Sequence, residues 1–420
     1  MACKLAYDRQ CRVGTVAGKT GRATDAYELL HEGPLFPETS ALRELQRARN
    51  IVRKRSGDIR NHEHDALWQA EVALRSCPYD SAERIMIRAA IVGLGRWGRS
   101  LVRSVQDKSD EIEFILAYTR TPSAAKKFCR NHNIAPVDSY DDVLRDAAVD
   151  AVVLATPHGE HAQQTMGAAA AGKHIFVEKP ITLDLASAKA AVAAAERAGI
   201  VLAVGFCRRF HPSIGDMRQH LEDGRLGRVI AMVAQHTTST GQFIPPDNWR
   251  AAPEEAPGGA LTAVGVHSLD HMIEFAGRVR DVHCVVGRYL PGPSDDTTTI
   301  MLRFESGATG VIFCSVATAT NFSFTLYGTQ GLAEISKPNL QSFRFVPSSK
   351  TPPTGAITAP PDEIREHPDF DMLRAELSEF ARSVTERRRY PVPVEDVLHG
   401  MSVFDAVVRS AKSNRIEVVE

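Results

Sequence analysis

From residue 86 to about 205, short apolar runs alternate with stretches whose apolar positions recur every three to four residues. Runs such as Ala151-Val152-Val153-Leu154 suit strands covered on both faces, since such a strand has no polar side to show. The pattern predicts strands at 87–92, 113–118, 150–155, 174–177 and 201–205. It predicts helices at 98–106, 122–131, 140–146, 159–171 and 183–198. Right-handed connections between such strands give an α/β fold with a doubly wound parallel sheet. After about 206 the period changes. Alternating segments at 229–237, 281–289, 297–304, 309–316, 322–327 and 342–346, with helical segments at 265–276, 370–386 and 395–411, predict an α+β region. The stretch 347–368, rich in Pro, Ser and Thr, reads as a long surface loop.

Residues 1–85 read differently. They are rich in Arg, Glu, Asp and His, and their apolar periodicity is thin. The expectation is an extension that packs weakly. Met86 directly precedes the first strand, so a second expectation is that translation starts there and 1–85 lie outside the native protein. His62 and His64 read as solvated histidines in a polar loop, and no metal is expected.

Composition narrows the partners. Hydrophobic residues make up 43% and charged residues 24%, with a formal net charge of -1. That balance gives no general attraction to nucleic acid or anionic membrane, and points to a small ligand. No apolar run approaches the ~18 residues that would span a bilayer. Cys3, Cys11, Cys77, Cys129, Cys207, Cys284 and Cys314 are scattered and contain no C-x-x-C, as expected for reduced thiols in a cytoplasmic protein.

The chemistry begins where the first strand ends. Ala90-Ile91-Val92-Gly93-Leu94-Gly95-Arg96-Trp97-Gly98 places G-x-G-x-x-G between a strand and a helix, the dinucleotide-binding fingerprint. Gly93 permits the turn, Gly95 lets the backbone approach a pyrophosphate, and Gly98 lets helix and strand pack closely. Arg96 and Trp97 open the helix, whose free N–H groups and positive dipole end face the phosphates. The segment 86–206 is therefore expected to be a Rossmann dinucleotide-binding domain. At the end of the second strand, Thr119 and Arg120 stand where a carboxylate would select a free ribose. A hydroxyl and a guanidinium suit a 2′-phosphate, so NADP(H) is expected over NAD(H).

Two further runs lie at strand ends, where ligands of such sheets sit. In Ala155-Thr156-Pro157-His158-Gly159-Glu160-His161, Thr156 and Pro157 are placed to meet the nicotinamide or its ribose. His161 fits either a cofactor contact or a helix-start histidine with a local hydrogen bond. In Val177-Glu178-Lys179-Pro180, a lysine held by a proline can orient a substrate hydroxyl and lower its pKa.

These motifs together resemble the Gfo/Idh/MocA oxidoreductases, which include glucose–fructose oxidoreductase, inositol dehydrogenase and rhizopine-catabolism proteins. The resemblance covers about 86–420. It rests on Gly93–Gly98, Ala155-Thr156-Pro157 with His161, Glu178-Lys179-Pro180, Gly205 to Pro212, Pro257-Gly258-Gly259-Ala260 leading to Gly265-Val266-His267-Ser268-Leu269-Asp270, and the ending from Tyr390. It implies that 207–420 form an α/β substrate and oligomerisation domain with a large, mostly antiparallel open sheet, associating as dimers or tetramers. It implies hydride transfer between a nicotinamide and a carbinol or keto carbon of a sugar, cyclitol or similar polyol. By motif match Lys179 is the catalytic lysine, His267 the general base, and Glu178 belongs to the cofactor site. Arg208 and Arg250 are expected to line the substrate cleft.

The chain departs from the family at Ala263, where many members carry Asp. That leaves two other readings open: a dinucleotide-binding sensor without turnover, and an enzyme acting on a non-sugar substrate such as a pyrrole pigment or an aromatic-derived diol.

Overall fold

The computed structural model describes residues 86–245, 248–349 and 361–420. The expectations for 1–85, including those for His62 and His64, lie outside these residues.

The first half folds as the alternation predicts. Strands β1 (Ile87–Val92), β2 (Ile112–Tyr118), β3 (Ala135–Val137), β4 (Ala151–Leu154), β5 (His174–Glu178) and β6 (Leu202–Gly205) form one parallel sheet in the order β3-β2-β1-β4-β5-β6. Every residue of β4 and β6 is buried, which is why their runs are apolar without alternation. The order reverses between β1 and β4, and that switch point is where ligands of open α/β sheets bind. Helices α1 (Arg96–Val105), α2 (Pro122–Asn131), α3 (Tyr140–Arg145), α4 (His161–Ala170) and α5 (Leu185–Ala198) connect the strands. Strand β3 has only three residues, two of them exposed, so periodicity does not reveal it.

A second sheet follows in the order β14-β13-β12-β11-β7-β10-β9-β8-β15. Its members are β7 (Val229–Thr237), β8 (Val279–Gly287), β9 (Thr297–Phe304), β10 (Thr309–Ser315), β11 (Asn321–Gly328), β12 (Gly331–Ser336), β13 (Ser342–Pro347), β14 (Glu363–Glu366) and β15 (Glu417–Val418). Its neighbours run antiparallel except β7 and β10, which are parallel. Burial alternates cleanly along β9 and β11: one face packs on helices, the other is open and exposes Val285, Met301 and Phe313.

The long-loop expectation for 347–368 is corrected by β14, which pairs Phe345 with Glu363 and Ser342 with Glu366. Its Glu-Ile-Arg-Glu sequence buries no residue fully, so it carries no core pattern. Side-chain bonds fix it instead: Asp216 accepts from Arg365 Nη1, and its other oxygen lies 2.7 Å from His367 Nε2. Asp216 belongs to α6 (Pro212–Glu222), a helix absent from the sequence expectations. Its start signals are present, with Pro212 in the first turn and the His211 ring accepting from Ser213 N. Helices α7 (Val266–Ala276), α8 (Met372–Thr385) and α9 (Val394–Ser413) complete the described helices.

Candidate active site

The glycine turn closes on the neighbouring strands. Gly93 donates its N–H to Tyr118 O at 2.8 Å and has φ +98. A Cβ on Gly93 would lie 2.5 Å from Ala155 O, and one on Gly98 would lie 1.9 Å from Gly93 O. Both positions therefore exclude a side chain. Gly95 differs: a Cβ there would meet nothing within 4 Å. The bare backbone at Gly95 faces open space, beside the first turn of α1, which holds no acidic residue and no side-chain cap. An anionic diphosphate fits such a cradle, and these residues suit a dinucleotide.

The other predicted cofactor residues surround the same strand ends. Arg96 is exposed and Trp97 half-buried at the start of α1. Thr119 and Arg120 follow β2, and Arg120 is exposed. Thr156 donates its hydroxyl to Gln164 Oε1 at 2.7 Å, and Pro157 is half-buried after β4. His161 is completely buried, with Nδ1 2.9 Å from Pro180 O and Nε2 3.2 Å from Thr156 O. Its ring ties the β4 turn to the β5 turn, and both nitrogens are occupied with backbone.

Lys179 extends from the end of β5 and donates to Ala263 O at 2.7 Å. Ala263 belongs to a π-helical turn, Leu261–Gly265, that runs directly into α7. Such turns widen the helix by one residue and occur often at functional sites. His267 lies in the first turn of α7, buried, with Nδ1 unpartnered among the described residues. Its ring stands edge-on to Phe206 at 6.1 Å and 6.3 Å from the His236 ring. Lys179 and His267, 88 positions apart in the chain, thus converge beside the switch point.

Burial and crowded positive charge tune this group. Burial pushes Lys179 down to about 8; Glu178 and Cys207 oppose the shift, while Arg250 and Arg208 add to it. Burial also holds His267 well below its usual range, reinforced by Lys179, Arg208, His236 and His271. Glu178 moves the other way, up to about 7, because burial outweighs the help of Trp97, Lys179 and Arg250.

The two adjacent arginines after β6 part company. Arg209 forms a bidentate pair with Asp270, Nε to Oδ2 and Nη2 to Oδ1, both at 2.8 Å. Asp270 therefore serves packing of α7 and does not face His267. Arg208 turns toward the lysine and histidine, its Nη2 3.2 Å from His236 Nε2. Arg250 is exposed, stacked 4.1 Å from the Trp249 ring centroid, with Arg96, Glu178 and Glu255 as its charged neighbours. The segment it belongs to folds over the β4 turn: His158 Nδ1 is 2.8 Å from Glu255 O, and Gly159 N donates to Glu255 Oε2 at 3.1 Å.

Sequence reasoning missed His236 and Glu376 here. His236 is the penultimate residue of β7, where a histidine in an alternating segment carries no signal. Glu376 on α8 is fully buried with both carboxylate oxygens unpartnered among the described residues. Electrostatic repulsion couples it to Glu178. Trp249 forms the platform under Arg250. Among the described residues no group of three or more His, Cys, Asp or Glu is arranged to hold a metal ion, and no helix is long and apolar enough to cross a membrane.

A model of the oxidoreductase family with an NAD-binding Rossmann fold matches residues 87–206, and a model of the GFO/IDH/MocA C-terminal domain matches 214–334. Trans-1,2-dihydrobenzene-1,2-diol dehydrogenase of Sus scrofa is 27% identical over 230 residues, 54% of this chain and 67% of that protein. The uncharacterized oxidoreductase YrbE of Bacillus subtilis (strain 168) is 26% identical over 341 residues, covering 77% and 94%. Levoglucosan dehydrogenase, solved with NADH and L-sorbose, superposes with a TM-score of 0.72 at 21% identity, over 80% of this chain and 99% of that one. A putative NADPH-dependent oxidoreductase from Desulfitobacterium hafniense DCB-2 gives 0.72 at 24% identity, over 79% and 97%. The chain belongs to the Gfo/Idh/MocA family and is an NAD(P)-dependent oxidoreductase.

Proposed function

We propose that the enzyme interconverts a secondary alcohol and a ketone on a polyhydroxylated substrate of the sugar, cyclitol or diol type. The observation that carries this reading is the convergence of Lys179 and His267 beside the glycine cradle, with Lys179 fixed on Ala263 O. The bound nicotinamide supplies the hydride acceptor or donor. Lys179 takes the hydroxyl proton during oxidation: at about 8 it is partly neutral near physiological pH, where a general base works best. His267, expected from the motif match to be the general base, takes an orienting role in this reading. Depressed by burial and by four basic neighbours, its ring stays neutral and orients the hydroxyl through a hydrogen bond.

Gly93, Gly95 and Gly98 hold the diphosphate with the first turn of α1. Arg96 and Arg250 are charged neighbours whose repulsion a bound diphosphate would relieve, which gives Arg250 a cofactor role in place of the substrate role expected from the sequence. Glu178, Thr156 and Pro157 border the nicotinamide end. Thr119 and Arg120 favour NADP(H), since Arg120 is exposed at the end of β2 with no carboxylate at the preceding position. The open face around Val285, Met301 and Phe313 joins copies of the chain into a homodimer or homotetramer.

The test is hydride transfer with NADP+ and NAD+ across a panel of sugars, cyclitols and diols. Lys179→Met should retain cofactor binding and lose at least ~10³-fold in kcat, the scale of general acid–base catalysis plus positioning. A variant with undiminished turnover would refute the assignment.

A further inference from the structure

Arg208 and Arg209 are neighbours with opposite surroundings. Arg209 is neutralised by the bidentate Asp270, with Asp396 Oδ2 a further 3.3 Å away. Among the described residues Arg208 reaches no carboxylate. Its guanidinium lies 4.3 Å from the Phe322 ring centroid, and Nη2 spends itself on a neutral imidazole, His236. Nη1 is closed off from solvent and has no partner among the described residues. Burial alone drags this arginine down to about 10, with only Cys207 opposing. A buried guanidinium with an idle donor is costly unless something else supplies the acceptor.

The space beside it repeats the pattern. The groups acting on His267 are Lys179, Arg208, His236 and His271, all basic. Glu178 is the one carboxylate among the main groups acting on Lys179. Ala263, whose carbonyl holds Lys179, presents an exposed methyl where the rest of its turn is largely buried. Burial keeps His236 and His267 neutral, so the positive charge there belongs to Lys179 and Arg208, and Glu178 answers only the first of them. Hydroxyls of a neutral polyol satisfy donors but leave that charge uncompensated. A carboxylate does both, and its two oxygens match the planar guanidinium fork.

We propose that the substrate carries a carboxylate group, bound by Arg208: the enzyme acts on a polyhydroxy acid. The inference rests on the dehydrogenase reading above. The carboxylate does not react; the hydride still leaves a carbinol carbon and the proton still passes to Lys179.

Binding separates this claim from turnover. The full chain is loaded with NADPH or NADH, so that alcohols bind without reacting, and titrated at constant ionic strength by calorimetry or bound-cofactor fluorescence. The matched probes are D-gluconate and D-sorbitol, which differ at one terminal carbon, with glucose 6-phosphate as the phosphate arm. Gluconate should bind at least ~30-fold more tightly than sorbitol, the span of a hydrogen bond to a charged group. Arg208→Gln should bring the two within about threefold while thermal melting and cofactor affinity persist. A second variant, Ala263→Asp, puts an acid beside Lys179 and should make sorbitol the better ligand. Equal binding of the pair by the unmodified protein, a preference that survives Arg208→Gln or Ala263→Asp, or tighter binding of glucose 6-phosphate would each overturn the proposal. Loss of hydride transfer with every acid and neutral polyol, with the gluconate preference intact, would instead strike the dehydrogenase reading.

Discussion

The acidity of Lys179 is set by charges on three separate segments, so it can be moved in both directions. Its fall from an ordinary 10.5 to about 8 is a bias of roughly 3 kcal/mol against the ammonium. Burial makes most of it. The Glu178 carboxylate on β5 opposes it most, whereas Arg250, from the segment over the β4 turn, and Arg208, from the turn after β6, add to the fall. Glu178→Gln should lower Lys179 further, and Arg250→Gln should raise it. A unit charge several ångströms away at an effective dielectric of about 20–40 is worth on the order of 1–2 kcal/mol, or about one pKa unit. Glu178 itself sits at about 7, so it is mostly ionised where Lys179 titrates and its removal is fully felt there. At pH 7.5 a lysine titrating at about 8 is roughly one-quarter neutral, and one titrating a unit lower roughly three-quarters neutral. The assay is NMR of selectively 13C-labelled lysine, with the Lys179 signal assigned by its loss in Lys179→Met. The same shifts should displace the pH limb of kcat/KM for alcohol oxidation. Titrations that move the same way in both variants, or that stay within about 0.3 of the parent value, would refute the electrostatic account.

Other outcomes follow from other parts of the molecule. Gly98→Ala drives a methyl against Gly93 O, and should cost about 2–3 kcal/mol of stability and abolish cofactor binding, read by thermal melting and NADPH fluorescence. Arg120→Ala should weaken NADPH about tenfold and leave NADH unchanged in parallel titrations; equal loss of both would contradict the 2′-phosphate assignment. Glu376 stays protonated in the folded chain because burial and Glu178 both push it up, whereas the unfolded chain ionises above about 4.5. Its contribution is whole below that pH and declines as pH rises. Glu376→Gln should therefore raise the melting temperature at pH 8 and leave it unchanged near pH 4.

Much of this arrangement was legible in the chain. Each glycine of G-x-G-x-x-G meets a distinct geometric demand, so a motif of three residues specified a cradle. The fully apolar β4 run betrayed a two-sided strand. Strand β14 escaped because ion pairs to Asp216, not a periodic apolar face, hold it, and helix α6 escaped because its buried face is short, with Ile214 and Met217 its fully buried apolar residues. The pairing of Lys179 with His267 was reachable only through motif resemblance, since nothing local to either residue encodes the other. Arg208 and Arg209 were indistinguishable in sequence: which of them meets Asp270 depends on how the turn after β6 faces α7.

That turn also explains why both arginines belong there. A buried pair such as Arg209 with Asp270 adds little net stability, because desolvation offsets the attraction. What it fixes is orientation. Asp270 lies one helical turn beyond His267, so clamping it to the β6 turn sets the rotation of α7 and the placement of the imidazole. The clamp equally fixes the backbone that carries Arg208, and the π-helical turn at Leu261–Gly265 brings Ala263 O to Lys179. One neutralised arginine thus holds three chemical groups in register, and the unneutralised one beside it is left to meet a ligand. Half-buried positive charge that the protein does not itself compensate costs free energy, and a bound carboxylate would offset that cost.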